Sequence, residues 1–130
     1  MFGDRAEFLV THSFSHDPAA DDYIPIFIAP KACAIRAWRA VTYAAVAANT
    51  ANYFDLTLVN GGTAGTATTA ISTALGGTAG WAAMTPKAGT PSSGSATLSA
   101  GQVLAILYNE EGTGTYANLM VQVEVVYGNG

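Results

Sequence analysis

The sequence predicts an all-β protein, an antiparallel two-sheet β-sandwich or jelly roll of about eight strands. Three observations carry that expectation. In the last third of the chain, Val121, Val123 and Val125 alternate with Gln122 and Glu124, the period-two pattern of a strand with one buried face. Turn-forming clusters recur along the chain, from Asp17-Pro18 through Asn60-Gly61-Gly62 to the acidic, glycine-bearing stretch Asn109-Glu110-Glu111-Gly112. Short strands between evenly spaced turns are the pattern of sandwiches and jelly rolls. No segment is a secure helix.

Residues 1–22 are polar and irregular and are expected to form an N-terminal arm, with residues 23–130 as the sandwich domain. Within the arm, Phe8-Leu9-Val10 is either a short first strand or part of the extension. Asp17-Pro18 and Asp21-Asp22 supply turn chemistry. Tyr23 to Ile28 alternates around Pro25, and Pro30 closes the run. A proline cannot donate to a ladder, so this is an edge strand or a strand end.

Lys31 to Ala48 fits two periods. Its alanines favour helix, and Ile35, Trp38, Val41 and Ala45 fit helical spacing; as a strand, Ile35, Ala37, Val41 and Tyr43 share a face. The flanking strands, the preceding Pro30 and the lack of a capping residue favour one long strand ending near Ala45. In Tyr53 to Asn60, Phe54, Leu56 and Leu58 alternate with Asp55, Thr57 and Val59. Asn60-Gly61-Gly62 then provides residues that tolerate positive φ.

Residues 61–96 are rich in Gly, Thr, Ala and Ser, and GGTAG occurs twice, at Gly61–Gly65 and Gly76–Gly80. Five residues are too few for a solenoid repeat, which runs to about 20 or more. Both copies read as turns flanking a short threonine-rich strand, Ala67–Thr73. Trp81 and Met84 anchor the next segment, Pro86–Gly94 is a loop, and Ala96-Thr97-Leu98 begins the closing strands. Val103 to Tyr108 is an apolar strand ending in the tip Asn109–Gly112.

Composition narrows the function. Half of the 130 residues are hydrophobic and 11% are charged, under half of the usual share of about 25%. So few charges on so many small residues point to a surface covered by partners, since exposed apolar patches mark interfaces; an extracellular or heat-tolerant β-domain with a Thr/Ser surface is the alternative. Five Lys and Arg against nine Asp and Glu, a net charge of −4, do not supply the clustered cations that nucleic-acid binding needs. Cys33 is the single cysteine; no intrachain disulfide can form, and the thiol reads as a small buried hydrophobe. The start Met-Phe-Gly-Asp-Arg lacks the pattern of a signal peptide. Arg36 and Arg39 interrupt the most apolar stretch, Ala32 to Ala51, which excludes it as a membrane span.

The residues that could carry chemistry do not assemble. His12 and His16 lie in a segment read as extended or loop, where four residues span about 13 Å, too far for one metal ion without a bend. No Gly-x-Ser-x-Gly elbow occurs, and Gly61 to Thr66 lacks the lysine of a phosphate loop. Glu110-Glu111 with Asp21-Asp22 could pair carboxylates for glycoside chemistry or hold calcium, but adjacent acids at a tip read first as a solvated turn, and no EF-hand spacing supports calcium. Trp38, Tyr43, Tyr53 and Trp81 read as core or subunit interface ahead of sugar-stacking platforms. The expectation is a protein that is not an enzyme and has no cofactor or metal.

The segments Ala29–Ala37, Tyr53–Leu58 with its following Gly-Gly-Thr, and Leu98–Leu104 together resemble small β-sandwich structural proteins of tailed bacteriophages, in particular head decoration or cement proteins. The resemblance spans residues 23–127 in layout. It implies a homotrimer on the outer capsid surface of the virion, made in the host cytoplasm, that bridges major capsid protein subunits and acts on neither nucleic acid nor membrane. Interface contacts are expected in three places: the arm (Phe2, Arg5, Phe8, His12, Phe14), an edge around Lys31, Arg36 and Arg39, and the tip with Glu110, Glu111 and Tyr116. Deleting residues 1–16 is expected to abolish capsid binding and leave a folded domain. The alternative function is a carbohydrate-binding or receptor-binding sandwich module of a tail or fibre, using Trp81 or exposed tyrosines.

Overall fold

The computed structural model describes residues 7–14, 22–64, 69–92, 96–112 and 118–128. They form strands and connections, with no α-helix among them. The strands are β1 (Glu7–Phe14), β2 (Asp22–Ile28), β3 (Cys33–Thr42), β4 (Tyr53–Asn60), β5 (Thr69–Ala70), β6 (Leu75–Gly76), β7 (Lys87–Gly89), β8 (Thr97–Leu98), β9 (Val103–Glu111) and β10 (Leu119–Tyr127). They make two antiparallel sheets. Sheet A has the order β1-β10-β3-β7, with β8 also on β3; sheet B has the order β2-β9-β4-β5, with β6 also on β4.

The pairing is nested. First pairs with last (β1 with β10), second with second-last (β2 with β9), β3 with β7 and β8, and β4 with β5 and β6. The chain is therefore one long hairpin rolled until β10 meets β3 and β9 meets β4, which is a jelly roll. The ten segments occupy eight strand positions, because β5–β6 and β7–β8 are each one interrupted strand. At the first interruption the Ser72 hydroxyl accepts the Leu58 N–H at 3.0 Å, so a side chain supplies the acceptor that a continuous ladder would have provided.

The core lies between the sheets. Sheet A contributes Cys33, Ile35, Trp38 and Ala40 from β3 and Leu119, Val121, Val123 and Val125 from β10; sheet B contributes Phe54, Leu56 and Leu58 from β4 and Leu104, Ile106 and Tyr108 from β9. The three alternating valines are fully buried, as expected from their period. Phe54 stacks between Trp81 and Tyr108, with both centroid distances at 5.5 Å. Each large apolar side chain buried here contributes roughly 1.5–3 kcal/mol.

The ambiguous segment is a strand, Cys33–Thr42, but its faces differ from simple alternation. β3 shifts register against β10 at Glu124/Val125, so that Arg36 has no Cα partner. This bulge lets Ile35 and Trp38 both enter the core while Arg36 and Ala37 face outward. Ile35 therefore does not share a face with Ala37 and Val41.

Two boundaries differ from the sequence reading. Residues 7–14, placed in the arm, are a full strand of sheet A, paired with β10 from Glu7↔Val126 to Phe14↔Leu119. Phe8 and Val10 pack against the core, and Phe8 meets Phe27 and Tyr127 with ring centroids at 5.4 and 5.0 Å. Deleting residues 1–16 would strip a strand from the sandwich, so the expected folded truncation does not follow. Glu110 and Glu111 also belong to a strand, because they continue β9 opposite Phe54 and Tyr53; the turn begins at Gly112, whose φ is 64°.

Cys33 is a free thiol with no exposed surface, and burial pushes its pKa up. Both effects suppress the thiolate. The folded protein is expected to be inert to a thiol reagent such as Ellman's, and to release one equivalent per chain in denaturant; prompt reaction of the native protein would contradict this packing.

Candidate interaction surfaces

The outer face of sheet B is apolar over most of its width. Cross-strand register places Tyr23 beside Leu107 and Thr57, Pro25 beside Ala105 and Val59, and Ile28 beside Val103. Alternation sends these residues away from the core, which takes Ile24, Leu104, Ile106 and Leu58 instead. Tyr23 and Ile28 are 45% and 66% exposed, Pro25 is exposed, Val103 and Leu107 are half-buried, and Ala105 and Val59 in the middle row are buried. No charged side chain lies in these three rows. The acids of this face, Asp55 and Glu111, sit toward its other end, opposite Asn109 and Tyr53.

The outer face of sheet A is graded. Its middle row is Thr11, Gln122, Arg39 and Ala88, and Leu9, Glu124 and Ala37 form the row beside it. Arg39 donates from its two terminal nitrogens to Gln122 and to Glu124, each at 3.1 Å. At one end Arg36 faces Glu7 at 3.7 Å, with both side chains more than half exposed, an arrangement worth little in water. At the other end Ser13, Val41, Tyr43, Met84, Asn118 and Met120 surround a shallow groove of about 380 Å³. Met84 is 69% exposed and holds φ at 55°, a conformation that costs a non-glycine residue about 1–2 kcal/mol. Thr42 forms part of the groove wall, and its buried hydroxyl lacks a hydrogen-bond partner among the described residues.

The expected contact residues are scattered over this frame. Phe2, Arg5 and Tyr116 lie outside the described residues, and Phe14 ends β1. Phe8 closes the sandwich between the two sheets. His12 is half-buried on β1, and burial lowers its pKa below 6.5. Protonation therefore disfavours the fold, a penalty absent above pH 6.5 that grows as the pH falls toward the lowered value. Lys31 lies over the Tyr127 ring, 4.5 Å from its centroid. Arg36 and Arg39 are not on an edge: β3 is interior, between β10 and β7/β8. Glu110 accepts the Tyr108 hydroxyl at 3.0 Å, and Glu111 is exposed. Among the described residues no group of three His, Cys, Asp or Glu could hold a metal ion. Trp81, the platform of the carbohydrate alternative, is only 3% exposed, with the Lys87 ammonium 5.4 Å from its ring centroid.

The sequence reading did not single out Tyr23, Pro25, Ile28, Val103 and Leu107 as a surface, although their signal was present. Tyr23 to Ile28 and Val103 to Tyr108 are apolar at every position. A strand with one wet face alternates; an unbroken apolar run is the signature of a strand covered on both faces.

No protein-family model matches the chain, and no curated protein matches it. Among solved structures, a chain in the structure of the infectious bursal disease virus Gx strain aligns over 98% of this chain with a TM-score of 0.49 and 16% identity. The alignment covers 33% of that chain, so this protein spans about a third of its length.

Proposed function

We propose that the protein is a non-catalytic structural component of a virion: a decoration or cement protein that sits on the outer surface of a phage head and bridges major capsid subunits. The observation that carries this reading is the outer face of sheet B. The runs Tyr23–Ile28 and Val103–Tyr108 are apolar on both sides, whereas the middle of β10 on sheet A alternates valine with Gln122 and Glu124. A sheet face of this kind, holding Tyr23, Pro25, Ile28, Val103 and Leu107, is the contiguous apolar patch that marks an interaction site. The low charge of the whole chain fits the same reading, as does the jelly roll, an architecture used by capsid domains.

The test is binding to empty heads of the particle from which the chain comes. The wild-type protein should bind and raise the heads' melting temperature. Ile28→Asp should weaken binding by about 30-fold or more, the 2 kcal/mol of an interface hot spot, while its circular dichroism stays that of the wild type. Leu107→Asp gives an independent second variant on the next strand. Full binding by both folded variants would reject this face as the docking surface, and absence of wild-type binding would reject the head-protein reading.

A further inference from the structure

We propose that the free edge of β1 pairs antiparallel with β1 of a second copy, about a two-fold axis at Leu9, so that two sheets A become one continuous sheet. The four sheet edges are not equivalent. On sheet B, β2 carries Pro25 and a register shift between Pro25 and Phe27, both of which spoil an edge for pairing. The opposite edges are cut into segments of two or three residues, β5 and β6 on sheet B and β7 and β8 on sheet A. Short edges are themselves a protection. β1 is the exception. It runs for eight residues, in unbroken register with β10, without proline, and its one acid is Glu7 at the end. Among the described residues nothing pairs with its outer edge.

A second copy suits this edge better than an arbitrary strand. Antiparallel partners that are directly opposite share a face, so the two-fold must set odd residues against odd. With the axis at Leu9, Leu9 meets its own copy, Phe8 meets Val10, and Glu7 meets Thr11. The 57% exposed Leu9 is covered by an identical apolar side chain. On the inner side the pair is aromatic with β-branched, a favourable combination. Each Glu7 carboxylate faces a threonine hydroxyl that can donate to it, and no like charges are opposed. This contact is separate from the outer face of sheet B and does not depend on the virion reading.

The experiment is native mass spectrometry and sedimentation of the full chain across a concentration series. A species at twice 13.3 kDa is expected, with dissociation on dilution. Leu9→Lys sets two ammonium groups against each other across the axis and should weaken self-association about ten-fold or more, with an unchanged melting temperature at concentrations where both proteins are monomeric. Leu9→Cys should give a disulfide-linked dimer on mild oxidation, since the native Cys33 is buried. Thr11→Cys should not, because the two positions would be offset by about 13 Å along the strands, beyond the roughly 7 Å that a disulfide spans between α-carbons. A monomer at every concentration, an oligomer indifferent to Leu9→Lys, or cross-linking through position 11 in place of position 9 would each overturn the proposal. Ile28→Asp should leave the dimer intact, so loss of head binding and loss of dimerisation are separable results.

Discussion

Gly89→Ala should destabilise the fold by about 3 kcal/mol, the upper range for overpacking a dense core, although the mutation adds one methyl group. Gly89 pairs with Trp38 across β7 and β3, and the indole lies against the glycine backbone. A Cβ built there would stand 2.1 Å from the indole Nε1 and 2.4 Å from Cε2. The indole cannot give way, because Trp38 has no exposed surface. Trp38→Ala should cost about 3–5 kcal/mol, the range for deleting a large buried aromatic. The diagnostic result is their coupling. Once Trp38 is alanine the methyl at position 89 has room, so the double variant should be no less stable than Trp38→Ala alone. A double-mutant cycle in urea reads this directly; additive losses would mean that the indole does not occupy that space.

Val123→Asp should be more damaging still, by more than about 4 kcal/mol, because it places a carboxylate in the middle of the core. Val123 is fully buried between Val121 and Val125, and the core cluster contains no cationic side chain. Burial raises the carboxyl's pKa in the folded state above the unfolded value of about 3.9. The penalty is therefore complete at pH above the raised pKa and shrinks as the pH falls through it, so this variant should gain stability, relative to wild type, on mild acidification. Gln122→Asp, one residue away, should change stability by about 0.5 kcal/mol or less, since that side chain faces outward beside Arg39. Because a one-residue slip exchanges the two faces of a strand, equal effects at 122 and 123 would contradict the register of β10 with β3.

These two sites mark different degrees of legibility. The inward valines of β10 could be read from alternation, and so could Phe54, Leu56 and Leu58 of β4, because a two-residue period with polar residues between leaves one choice of buried face. Pro25 marked its segment as an edge strand or a strand end, since it lacks the hydrogen a central ladder needs, and β2 is an edge strand. The contact between Trp38 and Gly89 could not be read. It joins residues 51 positions apart, and it depends on the bulge at Arg36, which no local pattern announces. Strand order, equally invisible locally, puts Arg36 and Arg39, which looked like a basic edge, on an interior strand where they meet acids from β1 and β10. Phe8 misled for a related reason. A short apolar triplet in a polar segment has too few alternations to establish a strand, and only pairing with β10 makes it one.

By itself, the sequence determined the class of fold, its strand-sized pieces and the identity of much of the core, because these follow from period, turn chemistry and the burial of apolar side chains. It also held, in the unbroken apolar runs of β2 and β9, the sign of a sheet with two apolar faces. Only the tertiary structure decided which strands lie at edges, which edge is unpaired among the described residues, and which apolar residues gather on one outer face. Those properties belong to strand order and register, which are set by contacts between segments distant in the chain.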